Sequence, residues 1–397
     1  MTQKKMKLAP TRRQLIAATG GAAALVMAPA FIRNLRAAEE FKIAIFVALT
    51  GPASLFGPTQ KACAELAADE INKAGGILGK MVRLFVVDGG VSPADAAKTG
   101  VRLMLNEKVD FFAGSHDSAV REALVATIKG RTPYVYTPIY EGEECAAHTY
   151  VIADTPQQQL DIALPWLHQK FGMKECYMIG NDYVWPHNVN KYAKTLISKY
   201  GGSVIGEEYV PLGAPNKFEE IVTRIKAKNP KFVLITLVGA DNVNFNRTFA
   251  GFGLDKNIIR MASLLEENTL LGIGKENANN LFGAMSYYAS IDTPLNNAFK
   301  KSYFGKYGAK APQLSLLGED CYAGIKFISA VVNKAGSADR NKVAKAAVNL
   351  TFDAPGGSWT MRSNRHVDKT MHLADATGGQ FKILKSFSKV ASGQTCA

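Results

Sequence analysis

From Phe41 to Leu237 the chain repeats one unit: a short apolar run, a loop, and an amphipathic stretch of helical period. The runs FKIAIFV (41–47), MVRLFVV (81–87) and FVLITL (232–237) are apolar almost throughout. Strands of that kind are buried on both faces, and helices between them imply parallel sheets covered on both sides. Further strands are expected at 110–113, 133–136, 176–180 and 203–209. Helices are expected at 59–74, where Ala62, Leu66, Ala67 and Ile71 share a face, and at 94–107, 118–130, 161–171, 186–200 and 217–228. Two sets of such units predict an α/β architecture of two doubly wound parallel-sheet lobes.

The tail departs from this pattern. It reads as helices at 295–307, 316–335 and 341–349, then short strands at 357–361, 371–374 and 380–384. The alternation pauses near Asp154, Ser286 and Asp353. The expected division is therefore residues 39–154 plus 286–352 for one lobe and 155–285 plus 353–397 for the other. Several chain crossings between lobes would form a multi-strand hinge.

Residues 1–38 carry seven Lys or Arg and no acid. Thr11-Arg12-Arg13 precedes an uncharged run from 15 to 31, followed by small residues ending at Ala37-Ala38. That layout predicts a cleaved export signal of the twin-arginine type and hence a periplasmic protein. The run contains Pro29 and is shorter than the ~20 residues that span a bilayer. Without this segment the formal charge falls from +13 to +6, and the remaining bases are scattered, so no nucleic-acid partner is expected. The cysteines number five, at 63, 145, 176, 321 and 396, with no zinc-like spacing. Their pairing is not legible.

In doubly wound sheets, ligands sit beyond the carboxyl ends of the strands. That rule selects the loops at 49–58, 114–118, 137–142, 181–186, 238–242 and 263–268. Gly114-Ser115-His116-Asp117-Ser118 holds the residue types of a hydrolase triad, but neighbours in sequence point in different directions, and no G-x-S-x-G elbow occurs. A helix start is the better reading. Ser115, Asp117 or Ser118 would cap it, and its amides either close on that cap or hold a ligand oxygen. Tyr136 would wall a pocket, and Tyr183 and Trp185 are either pocket walls or core. Glu143 and Glu144 read as a solvated acidic loop. Glu266 and Glu267 offer either a ligand carboxylate or a helix-start acid. No P-loop, H-E-x-x-H or third glycine after Gly251-Phe252-Gly253 is present, so neither enzyme activity nor a cofactor or metal is expected.

INKAGGILGK (71–80), YEGEEC (140–145), GNDYVWP (180–186), SIDTP (290–294) and FDAP (352–355) occur in this order. With them the chain resembles periplasmic solute-binding proteins of the branched-chain amino acid type, and within these the branch that binds urea and short amides. The resemblance implies the type I periplasmic binding fold, a small polar solute (amide, urea or amino acid) held between closing lobes, an ABC permease of the inner membrane as partner, and a monomer. A periplasmic sensor feeding a signalling partner is the alternative use of the same fold. Carried over by position, the ligand residues are Ser118, Tyr136, Pro138, Tyr183 and Glu266. Ser118 would take the solute's oxygen end and Glu266 its nitrogen end. His116-Asp117 and Tyr136-Thr137 depart from the branch's pattern, which implies a more polar pocket floor and adds His116 and Asp117 to the candidates.

Overall fold

The computed structural model describes residues 39–215 and 217–393; the expected export signal lies outside them. The first lobe opens with β1 (Glu40–Val47), α1 (Gly57–Lys73), β2 (Met81–Asp88), α2 (Pro93–Arg102), β3 (Phe111–Ser115), α3 (Ser118–Ile128), β4 (Tyr134–Tyr136) and β5 (Thr149–Val151). These strands form a parallel sheet in the order β2-β1-β3-β4-β5. β1 sends Ile43 and Ile45 to one core and Ala44 and Phe46 to the other, which is why its apolar run is unbroken.

The second lobe repeats the winding with α4 (Pro156–Phe171), β6 (Glu175–Asn181), α5 (Val184–Lys199), β7 (Ser203–Val210), α6 (Glu219–Lys228), β8 (Phe232–Thr236), α7 (Ala240–Gly251), β9 (Ile259–Ala262), α8 (Glu267–Ile273) and β10 (Leu281–Met285). Its parallel strands run β7-β6-β8-β9-β10, the same order as the first lobe. The chain then makes α9 (Pro294–Tyr307), α10 (Leu316–Ala335), α11 (Arg340–Ala347), β11 (Thr351–Ala354), β12 (Gly357–Met361), β13 (Val367–Asp375) and β14 (Lys382–Val390). Helix α10 packs on α1 and β3 of the first lobe. Strand β13 pairs antiparallel with β10, so the tail strands extend the second sheet.

Three local readings change. The helix expected at 161–171 begins at Pro156, because Thr155 and Gln158 form a reciprocal capping box with proline just inside it. The stretch 94–107 is not one helix: α2 stops at Arg102, a π-helical turn follows, and Lys108 turns left-handed at φ 53°. Strand β5 is only three residues long, too short to show as a run. Cys63, Cys176 and Cys321 are buried free thiols, while Cys145 is disulfide-bonded.

The crossings between sheets are tied by buried charge. Lys369 Nζ on β13 donates to Ile152 O (2.6 Å), Asp154 Oδ1 (2.7 Å) and Ser286 Oγ (3.2 Å), and Ser286 N donates to Asp154 Oδ2 (2.9 Å). Residues 152–154 follow β5 and Ser286 follows β10, so one ammonium binds two crossings. Glu319 of α10 accepts from Gly356 N in the β11–β12 turn (3.0 Å), tying the tail to the first lobe. Among the described residues, no helix is long and apolar enough to cross a membrane.

Candidate functional site

Both sheets reverse their winding at one point, between β1 and β3 in the first lobe and between β6 and β8 in the second. The loops leaving those strands face a common cavity with about 670 Å³ of atom-free space, open solvent at its mouth included. The first lobe contributes loops after β1, β2, β3 and β4; the second contributes Tyr183, Trp185, Leu212, Val238 and Leu264. Among the described residues, those lining the cavity include neither Lys nor Arg.

His116, Asp117, Ser118, Tyr136, Pro138 and Tyr183 all line it. Asp117 caps α3, its Oδ1 accepting from Val120 N (2.9 Å). Burial raises its carboxyl pKa above the usual carboxylate value. His116 Nδ1 meets Asp117 O (3.0 Å) and Nε2 meets Tyr134 Oη (2.8 Å). Burial pushes this imidazole down to about 4, so it is neutral: Nδ1–H donates to the carbonyl and Nε2 accepts from the tyrosine. Tyr136 Oη donates to His116 O (2.7 Å). Tyr183 and Trp185 form the opposing aromatic wall, their ring centroids 6.2 Å apart.

Ser118 Oγ donates to Glu141 Oε2 (2.6 Å). Arg121, one turn further along α3, holds Glu141 Oε1 through Nη1 (2.7 Å) and Glu144 Oε2 through Nε (3.0 Å). The remaining Glu144 oxygen accepts from Ala146 N (2.9 Å). Ser118, Arg121, Glu141 and Glu144 are all buried. Burial works against the guanidinium's charge, yet Glu141, Tyr136 and Glu144 together raise its pKa above the ordinary arginine value. The acidic loop is therefore not solvated as expected: Glu144 turns inward to meet Arg121, and of its acids Glu141, Glu143 and Glu144 only Glu143 is exposed.

Glu266 is not part of the cavity lining. It is the N-cap of α8, and its carboxylate is fully engaged: Oε1 accepts from Thr269 N (2.6 Å) and Oγ1 (2.8 Å), Oε2 from Asn268 N (2.9 Å) and Nδ2 (2.8 Å). A carboxylate with four donors of its own has no lone pair left over for a solute nitrogen. Thr137 also stays out of the floor; it is buried, with Oγ1 donating to Gly114 O (3.2 Å).

The sequence reading missed Gln60 and Arg121. Gln60 Oε1 accepts from Ala48 N (2.9 Å) while Nε2 donates to Ser115 Oγ (2.7 Å), so one buried amide ties the ends of β1 and β3 at the cavity rim. Gly90 is also required there, since a Cβ would stand 1.9 Å from Thr50 O. Arg121 sits three residues after Ser118 and pairs with Glu141 and Glu144, themselves three apart; that matched spacing was the available signal.

The geometry agrees with known proteins. The chain is 22% identical over 326 residues to the leucine-, isoleucine-, valine-, threonine- and alanine-binding protein of Pseudomonas aeruginosa, covering 81% of this chain and 86% of that one. It superposes with a TM-score of 0.82 on an ABC-transporter solute-binding protein of Rhodopseudomonas palustris solved with p-hydroxybenzoic acid, at 21% identity over 89% of this chain and 99% of that one. An amino acid ABC transporter substrate-binding protein of Pseudomonas fluorescens gives 0.79 at 22% identity, covering 91% and 99%. With the family profile matching residues 40–380, the chain belongs to the periplasmic binding protein family.

Proposed function

We propose that this protein is the exported solute-binding component of an ABC importer. It captures a small polar solute in the periplasm and delivers it to an inner-membrane permease. The observation that carries this reading is the cavity itself, built from both lobes at the carboxyl ends of their strands and walled by aromatic and apolar groups with a few polar atoms. The division into residues 39–154 plus 286–352 and 155–285 plus 353–397 makes the segments near Asp154, Ser286 and the β11–β12 turn the hinge. Closure about that hinge would bury the solute between Tyr136 and Tyr183 and present a composite surface to the permease. Ligand binding then shifts a population of open and closed forms, and the closed form needs to be only slightly disfavoured when empty.

Amides, urea and amino acids are the solute classes this reading favours. Of the relatives described above, one is a binding protein for leucine, isoleucine, valine, threonine and alanine, and another was solved with p-hydroxybenzoic acid. Titration calorimetry on protein stripped of carried-over solute by unfolding and refolding tests this reading, with urea, acetamide, leucine, valine and p-hydroxybenzoate. Saturable binding of one of these, lost in Tyr183→Ala, is expected. Turnover of an amide by the purified protein would overturn the reading.

A further inference from the structure

The first-lobe floor of the cavity is built of hydrogen-bond acceptors. Ser118 has one proton, and Glu141 takes it at 2.6 Å. Glu141 is an acceptor only, because its other oxygen is locked against Arg121 at 2.7 Å. Tyr136 likewise gives its proton to His116 O. Both hydroxyls therefore turn only lone pairs toward the cavity. The N-terminus of α3 offsets this only in part, since Asp117 already takes the amide of Val120 and that of Ala119 and leaves only the first amide, that of Ser118. Charge points the same way: one guanidinium, Arg121, faces two buried carboxylates, Glu141 and Glu144, and the exposed Glu122 (3.4 Å), so acids outnumber it before Asp117 is counted. His116 is neutral.

Building on the solute-binding reading, we propose that Glu141, held by Arg121, sets the polarity of the site, so that the first lobe receives a nitrogen-borne donor of the solute, an amide N–H or an ammonium, and rejects a carboxylate. This reverses the orientation that positional carry-over implies, in which Ser118 takes the oxygen end. It also separates this chain from the R. palustris relative solved with p-hydroxybenzoic acid. A carboxylate placed here would face the lone pairs of Ser118 and Tyr136 and net negative charge, with neither of those hydroxyl protons free to meet it. Glu141 acts through Ser118 and is a positioning residue for specificity.

Calorimetry on matched pairs tests the proposal: acetamide against acetate, benzamide against benzoate, and leucine against 4-methylpentanoate. In any pair that binds, the nitrogen-bearing member is expected to win by about a hundredfold. Glu141→Gln should narrow that ratio by about tenfold, because it frees the Ser118 hydroxyl and removes the excess negative charge beneath the floor. Ser118→Ala should keep the preference, since the Glu141 carboxylate then faces the solute directly. Should Glu141→Gln fail to fold, the wild-type ratios and Ser118→Ala decide alone. A carboxylate bound as tightly as its amide, with binding lost in Tyr183→Ala, overturns the polarity and leaves the cleft reading standing. Silence across all pairs, or binding indifferent to Tyr183→Ala, overturns the cleft reading and this proposal with it.

Discussion

Two buried charge clusters, one under the cleft and one at the sheet crossings proposed above as the hinge, solve the same problem differently. At the cleft, Arg121 meets two carboxylates with separate nitrogens, and Ser118 and Ala146 take the oxygens left over. At the hinge, Lys369 is a single ammonium 4.1 Å above the Trp359 ring, donating to Asp154, Ile152 and Ser286. Two further acids lie beside it. Both oxygens of Asp320 and Oε2 of Glu319 find no partner among the described residues, and burial raises the pKa of both groups. An unpartnered buried carboxyl stays neutral by keeping its proton. The guanidinium fork thus fixes charges at the cleft, whereas the hinge holds protons. A binding site needs a constant polarity; a hinge can tolerate acids that titrate.

The largest expected effect breaks the cleft cluster. Arg121→Ala leaves Glu141 and Glu144 buried without their cation, and a stability loss of about 3–5 kcal/mol should appear in urea unfolding. A loss below ~1 kcal/mol would mean that the two carboxylates are solvated. The next contrast compares isosteric changes in the two clusters. Glu141→Gln removes an ionised acceptor from charged hydrogen bonds and should cost about 2 kcal/mol. Asp320→Asn replaces a carboxyl that is already neutral and should stay within about 0.5 kcal/mol at neutral pH. Equal costs would erase the distinction between fixed charges and held protons.

The distinction has a pH signature. Glu267, which caps Ala289 N in the second crossing (2.6 Å), is pushed up to about 8 by burial and then by Glu266. Protonated in the folded protein and ionised in the unfolded one, it contributes stability that is full below pH ~4.3 and is lost as pH rises toward 8. His116, His366 and His372 act in the opposite sense. Burial lowers each to about 4, so their contribution grows as pH rises to ~6.5 and then levels off. Between pH 6.5 and 8 the carboxyls act alone, and stability should fall by at most ~1.4 kcal/mol per pH unit for each proton held. Denaturant midpoints across that window should flatten in Glu267→Gln; an unchanged slope would assign the protons elsewhere.

The lobes were legible because a strand buried on both faces must be apolar almost throughout, as FKIAIFV is apart from Lys42, and such runs survive without knowledge of their neighbours. The rule that ligands sit beyond strand ends then selected six loops that all reach the cavity, including those of His116–Ser118, Pro138 and Tyr183. What sequence could not supply was the direction of hydrogen bonds. Glu266 and Glu141 look alike as acids in loops. One closes on Asn268 and Thr269 of its own helix, while the other reaches 20 residues back to Arg121. Gln60 carries no local pattern at all, because its partners, Ala48 and Ser115, belong to two different strands' ends. The hinge acids were equally silent: Glu319 and Asp320 sit in a helix whose apolar face hides them, and only the folded tail brings Lys369 alongside.

Asp117 tests the cleft most gently. Its carboxylate caps α3 and lines the cavity at once, so substitution by alanine would confuse lost capping with lost recognition. Asparagine caps a helix about as well as aspartate, so Asp117→Asn should change stability by only a few tenths of a kcal/mol. What it removes is one negative charge beside a floor already short of donors. Affinity for a cationic probe such as leucinamide should drop about fivefold, roughly 1 kcal/mol, while a neutral one such as acetamide should be unaffected. The two titrations share the fold, the cap and the cavity, so their ratio isolates charge from shape. If both probes bind wild type and variant equally, Asp117 serves only the helix, and the polarity of the site rests on Glu141 alone.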